Sequence, residues 1–186
     1  MVILLLLKSS ICDPINEIFA AIKNDDTTTL KRILNDNEAT LGSFINLQDS
    51  ESGQTPVMMS VLRGRTEMVR SLLAVAEVDV TIGEMQGYTV AHGAGFQGRA
   101  EILKLLLEDE RDIDMKELHS DGFSPLHRAC WGQEPRHTET VKVFLELAGV
   151  PWDLRSKKGT TCYDVTNNPA TKKLLKQWKK KQNEEL

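Results

Sequence analysis

An all-α repeat solenoid is the fold this sequence predicts. It would hold about five helix-turn-helix units joined by short β-hairpin loops, the terminal units acting as caps. Three observations carry this expectation. Four segments share one frame, Gly53-Gln54-Thr55-Pro56, Gly87-Tyr88-Thr89-Val90, Gly122-Phe123-Ser124-Pro125 and Gly159-Thr160-Thr161-Cys162, with their glycines 34, 35 and 37 residues apart. Seven residues after each glycine stands a small residue or Thr: Ser60, Ala94, Ala129 and Thr166. Nineteen residues after the first two glycines come Leu72-Leu73 and Leu106-Leu107, and in the third unit the matching pair, Phe144-Leu145, arrives three residues late.

Each position in the frame has a physical use. The glycine permits positive φ in a tight turn. The Thr or Ser two residues on caps a helix through its hydroxyl, and a following Pro suits the first helical turn. A short helix then ends at Gly64 or Gly98. The second helices, Glu67–Leu73 and Glu101–Leu107, carry apolar residues at i, i+3 and i+4. One such pair cannot bury both its faces, so at least about three must stack. Gly93 and Gly95 each weaken their helix by about 1 kcal/mol against Ala, so the third unit is expected to be the least stable. The run Gly93–Gly98 imitates a glycine-rich phosphate loop, but it lies in and at the end of a helix, with no βαβ unit around it.

The ends read as caps. Ile15–Lys23 and Thr28–Leu34 form two helical runs joined at Asn24-Asp25-Asp26, and Ile45–Asp49 enters the next hairpin. Pro169–Trp178 is the closing helix, with Leu174, Leu175 and Trp178 inward. The expected organisation is an apolar segment at 1–13, a repeat domain at 14–178 (units 14–48, 49–82, 83–117, 118–155 and 156–178) and a charged tail at 179–186. Met1–Lys8 is too short to span a bilayer, which takes about 20 residues, and lacks the basic start of a secretory signal. It is expected to cover the first unit. The alternative is a cleaved signal within Met1–Ser10 that sends the chain to an organelle or the secretory route.

Composition is ordinary for a folded domain, 40% hydrophobic and 27% charged over 186 residues. A net charge of -4 does not argue for nucleic acid or membrane as the main partner. Charge is uneven, however: residues 172–186 hold six Lys and two Glu. Cys12, Cys130 and Cys162 are odd in number and far apart, so reduced thiols in a cytoplasmic or nuclear protein are expected.

Ser124-Pro125-Leu126-His127-Arg128-Ala129, preceded by Asp121-Gly122, resembles the T-P-L-H-x-A stretch of the ankyrin repeat family, whose period is near 33. Thr55–Ser60 is a degraded copy, and Thr89–Ala94 keeps the His without the Pro. The resemblance implies that His92 and His127 hydrogen-bond turn backbone. It also implies a concave surface formed by hairpin tips and first helices, with the residues one and nine after each glycine pointing into it: Gln54, Tyr88, Phe123, Thr160, and Leu62, Phe96, Trp131, Asn168. Four of the chain's ten aromatic residues fall in these eight slots. Aromatic anchors and contiguous apolar patches mark binding surfaces; the bland alternative is that Phe96 and Trp131 pack between units. The candidate partner-binding residues are therefore Arg63, Met85, Tyr88, Phe96, Gln97, Asp121, Phe123 and Trp131. The three-residue insertion near Gly132–Arg136 is expected to be a loop stiffened by Pro135, either on the binding face or neutral.

No nucleophile, base and orienting group converge in the sequence. His127 and Cys130 share a helix turn, but the frame puts Cys130 in a core slot. His119 and His137 lack a second ligand at diagnostic spacing. The expected function is a non-catalytic scaffold, an adaptor, inhibitor or assembly factor, that holds another protein in its groove. No cofactor, metal or small-molecule substrate is implied, and the chain would be a monomer or a subunit of a larger complex. The alternative is docking through the basic C-terminal helix on nucleic acid or anionic membrane.

Overall fold

Thr55, Ser124 and Thr161 each accept a backbone N–H from three residues on, capping the helices that follow. Pro56 and Pro125 stand at the first helical turn, where the missing N–H costs nothing. Gly53, Gly87, Gly122 and Gly159 all have positive φ, between 65° and 92°. Three of the four frames are thus built by the residues that announced them; Thr89 makes no such cap, its hydroxyl pairing with His92 Nδ1 at 2.9 Å instead.

The computed structural model describes residues 14–111 and 113–184; the apolar start, Met1–Ser10, and Cys12 lie outside the described residues. The described chain is helical, with no strand assigned. It divides after Gln86 into two units. The first holds α1 (14–24), α2 (Thr27–Asp36), a 3₁₀ segment (Glu38–Ser43), α3 (Pro56–Arg63) and α4 (Thr66–Leu73). The second holds α5 (Val90–Gln97), α6 (Ala100–Glu108), α7 (Pro125–Trp131), α8 (Pro135–Glu146), α9 (Cys162–Val165) and α10 (Pro169–Glu184).

In the first unit, Asp25 takes positive φ at the α1–α2 turn, and Asp26 caps α2 by accepting from the Thr29 amide at 2.9 Å. Ile18, Ile22, Leu30, Ile33, Met58, Met68 and Leu72 are fully buried. Gly64 ends α3 in the left-handed conformation. The hairpin that leads into α3 is closed by backbone hydrogen bonds, Asp49 N–H to Gln54 O at 2.9 Å and Gly53 N–H to Asp49 O at 2.8 Å. A Cβ on Gly53 would lie 2.7 Å from the Met85 backbone nitrogen, so two neighbouring hairpins nest at that glycine.

The second unit repeats the device. His119 N–H bonds Phe123 O, Ser156 N–H bonds Thr160 O, and Lys157 nests on Gly122 as Met85 does on Gly53. The small residues Ala94, Ala129 and Thr166 are completely buried. Gly95 shows why one of the two glycines in α5 is there: a Cβ would press on the carbonyl oxygen of Pro125 at the start of α7. Ile102, Leu103 and Phe144 fill the space behind the first helices.

Four expectations are corrected. The insertion is not a stiffened loop; Pro135 starts α8, which at 12 residues is a turn longer than α4 or α6. His137 in that added turn is buried and places its ring over Gly132 and Gly98, leaving no room for a Cβ at Gly132. In the last unit the first helix is a single turn, so Asn168 is not a groove residue. It is buried and caps α10, accepting from the Ala170 amide at 3.0 Å. The closing helix runs past Trp178 to Glu184. Finally, Cys130 and Cys162 are not separate thiols: they form a disulfide between α7 and α9, with their Cα atoms 5.6 Å apart.

Candidate protein-binding site

Three of the aromatic slots converge in the second unit on a residue the sequence reading passed over. Arg128, the variable position of the Ser124–Ala129 stretch, is buried, its side chain 7% exposed. Its guanidinium carbon lies 4.5 Å from the centre of the Tyr88 ring and 4.4 Å from that of Trp131. One of its nitrogens donates to Tyr88 Oη at 2.8 Å and to the Asp121 carboxylate. Phe123 meets Trp131 edge to face, centroids 5.0 Å apart, and His119 stacks on Tyr88 at 3.9 Å. A cation between aromatic faces is held by the ring quadrupoles, and more strongly where water is excluded.

The local folding explains the convergence. Tyr88 and Phe123 each follow the glycine of a hairpin, Arg128 and Trp131 lie three apart on α7, and α5 packs on α7. Phe96, on the last turn of α5, is 54% exposed, and Gln97 beside it is half-buried. In the first unit, Arg63 is exposed at the end of α3 and Met85 is 66% exposed on its hairpin. Of the candidate residues, then, Tyr88, Asp121, Phe123 and Trp131 form one cluster with Arg128. The packing alternative holds in part: Trp131 is half-buried against Arg128, while Phe96 faces solvent.

Burial works against the charge on Asp121, but hydrogen bonds from His119 and Arg128 outweigh it and hold the carboxyl well below the usual carboxylate range. Burial raises Tyr88, and the nearby guanidinium opposes this. His127 behaves as the resemblance implied: Nε2 lies 3.0 Å from Thr160 O, and Nδ1 lies 2.8 Å from Ser124 Oγ. His92 bonds Thr89 Oγ1 at 2.9 Å through Nδ1 and is pushed down to about 4 by burial. The Cys130 sulfur is held in the disulfide, so His127 and Cys130 form no thiolate–imidazole pair. Among the described residues no three His, Cys, Asp or Glu gather as a metal would need, and no helix is long and apolar enough to cross a membrane.

Helix pairs recurring every 34 to 37 residues, with nested hairpins and an aromatic cluster on hairpins and first helices, define a repeat protein. The chain belongs to the ankyrin repeat family: three ankyrin repeats match residues 18–117 and a further ankyrin repeat matches 121–157. It is similar to chicken inversin, 30% identical over 121 residues, covering 65% of this chain and 10% of inversin. It is also similar to rat protein phosphatase 1 regulatory subunit 12A, 34% identical over 98 residues (52% of this chain, 9% of that protein). Regulatory protein NPR3 of Arabidopsis thaliana is 25% identical over 161 residues, 86% of this chain and 24% of that protein. The chain thus spans about a quarter or less of these relatives. Ankyrin repeats are protein-interaction modules, and two of these relatives are named as regulatory proteins.

Proposed function

We propose that the chain is a non-catalytic interaction module, an adaptor, inhibitor or assembly factor, that holds a segment of another protein against the face made by Tyr88, Phe96, Phe123 and Trp131. The observation that carries this is the exposed Phe96 ring together with aromatic side chains fixed around the buried Arg128. Rings already held in place lose little freedom on binding, so most of their buried area contributes to affinity. Asp121 and Gln97 supply a polar rim of the kind that surrounds such anchors. The paired variant Phe96→Ala with Trp131→Ala should lose a partner that the intact protein captures from native extract, with thermal unfolding still cooperative. Capture at the intact level would show that the face is not the binding site.

A second observation supports a reading of the compartment. Disulfides persist where the surroundings are oxidising, and the Cys130–Cys162 bond therefore favours the organelle or secretory route over cytoplasm or nucleus.

A further inference from the structure

Positive charge is handled differently along the chain. Between residues 14 and 150 most Lys and Arg side chains are answered by a carboxylate, as in Lys23–Asp49, Arg65–Asp25, Lys104–Glu101 and Arg136–Glu134. Residues 151–184 hold nine Lys and Arg against three Asp and Glu. There Lys157, Lys158, Lys172, Lys173, Lys176 and Lys179 have no carboxylate within ion-pair distance among the described residues. Most cations elsewhere meet a carboxylate, whereas these six do not; beside them Lys180 pairs with Glu184 at 3.7 Å.

The lysines on one side of α10 are also positioned. Lys172, Lys176 and Lys179 recur at i, i+4 and i+7, which places them on one helix face. The ammonium groups of Lys172 and Lys176 lie 5.9 and 5.8 Å from the centre of the Tyr163 ring, and that of Lys179 lies 5.4 Å from the Trp152 ring. Each ring restrains a side chain that would otherwise sample many rotamers. An ammonium resting on a ring still has hydrogens to donate outward.

We propose that this face of α10, Lys172, Lys176 and Lys179 over Tyr163 and Trp152, is a docking site for an acidic, extended segment of a partner protein. The inference rests on reading the chain as a protein-binding module and names the chemistry of what it binds. Three features select this occupant. The three lysines span about 10 Å along the helix axis, and three carboxylates on alternate residues of an extended strand span about 13 Å, within reach of flexible lysine stems. Single-stranded nucleic acid would need free ring faces on which bases stack, and here the rings carry lysines. A bilayer-seeking helix buries an apolar face in lipid, whereas the apolar Leu175 of α10 is buried in the protein.

The test uses the full chain and a fluorescein-labelled (Glu-Ser)6 peptide, followed by fluorescence anisotropy at about 50 and about 200 mM salt. Saturable binding that weakens at the higher salt is expected. The triple variant Lys172→Glu, Lys176→Glu, Lys179→Glu should bind about tenfold more weakly or worse, the effect of losing three favourable charges and gaining three opposed ones. Tyr163→Leu and Trp152→Leu should each weaken binding a few-fold with every charge retained, which a purely diffuse charge effect would not do. Circular dichroism of each variant checks that α10 remains folded, and Lys→Gln replacements serve where the Glu variants do not fold. Equal peptide binding by the triple variant overturns the proposal. So does tighter binding of poly(U) or phosphatidylserine vesicles than of the peptide, or a salt-sensitive self-association that accounts for the signal. The Phe96 and Trp131 variants lie on α5 and α7, so loss of partner capture there with peptide binding intact would count for the other face alone.

Discussion

A guanidinium nearly out of solvent must replace several water hydrogen bonds, and burying it unpaired would cost several kcal/mol. Arg128 is compensated by Asp121, Tyr88 Oη and two ring faces, although its Nε is buried without a hydrogen bond. The arrangement therefore serves placement more than stability: the cation fixes where Tyr88 and Trp131 sit. Their spacing depends in turn on how closely α5 approaches α7, and Gly95 sets that approach. Two effects compete at this glycine. Helix propensity alone makes Gly95→Ala stabilising by about 1 kcal/mol. The new methyl, however, meets a backbone carbonyl that no rotamer change can move, and overpacking of this kind costs about 1–3 kcal/mol or more. The clash wins, so Gly95→Ala should lower the melting temperature by a few degrees in a thermal unfolding scan. An unchanged or higher midpoint would mean that α5 and α7 are less tightly packed.

At the level of elements, the frame was legible because each of its signals is local. A capping hydroxyl, a Pro at the first turn and a left-handed glycine act within four residues, and Thr55, Pro56 and Gly64 behave as read. What was not legible depends on neighbours distant in sequence. The added turn of α8 is fixed by His137 reaching Phe96 O at 3.2 Å and filling the space over Gly132, which the inserted residues alone do not announce. In the last unit α9 stops after one turn and Asn168 restarts the chain as a cap, so the position nine after the glycine loses its helical meaning. Arg128 hid in the one slot of its motif that the resemblance leaves variable. The disulfide could have been found from the frame itself. Positions eight after one glycine and three after the next meet at Gly95 and Pro125, and the same two positions are Cys130 and Cys162. At a sequence separation of 32, this bond should contribute about 2–4 kcal/mol through the unfolded chain. Reductant should lower the melting temperature of the intact protein by several degrees and leave a Cys162→Ala variant unmoved. Intact mass of natively purified protein before and after reduction reads the bond directly, along with any loss of Met1–Ser10. Indifference of the intact protein to reductant would return both cysteines to the thiol state.

For the whole molecule, acid should act through buried imidazoles before it acts through carboxylates. Burial holds His92 at about 4, whereas in the unfolded chain it titrates near 6.5. Between those values the unfolded state binds more protons than the folded one, so stability is complete above the unfolded value and declines as pH falls toward the folded one. The shift corresponds to about 3 kcal/mol as an upper figure. Burial lowers His127 in the same direction, so its contribution has the same sign. The hydrogen-bonded carboxyls of Asp49 and Asp121 are lowered too, and their stabilisation is lost only further down, as pH drops below the ordinary Asp value toward their folded ones. General charge repulsion predicts a different curve. With net charge -4 at pH 7 and an isoelectric point near 5.6, repulsion is weakest in the middle of the histidine window, where it would favour the folded state. A melting temperature that falls steadily from pH 7 to 4.5 therefore identifies the imidazoles. His92→Asn removes the titrating group while leaving an amide to bond Thr89, and it should flatten that part of the curve. A maximum near pH 5.6 in the intact protein, or an unchanged slope in the variant, would assign the acid response to overall charge instead.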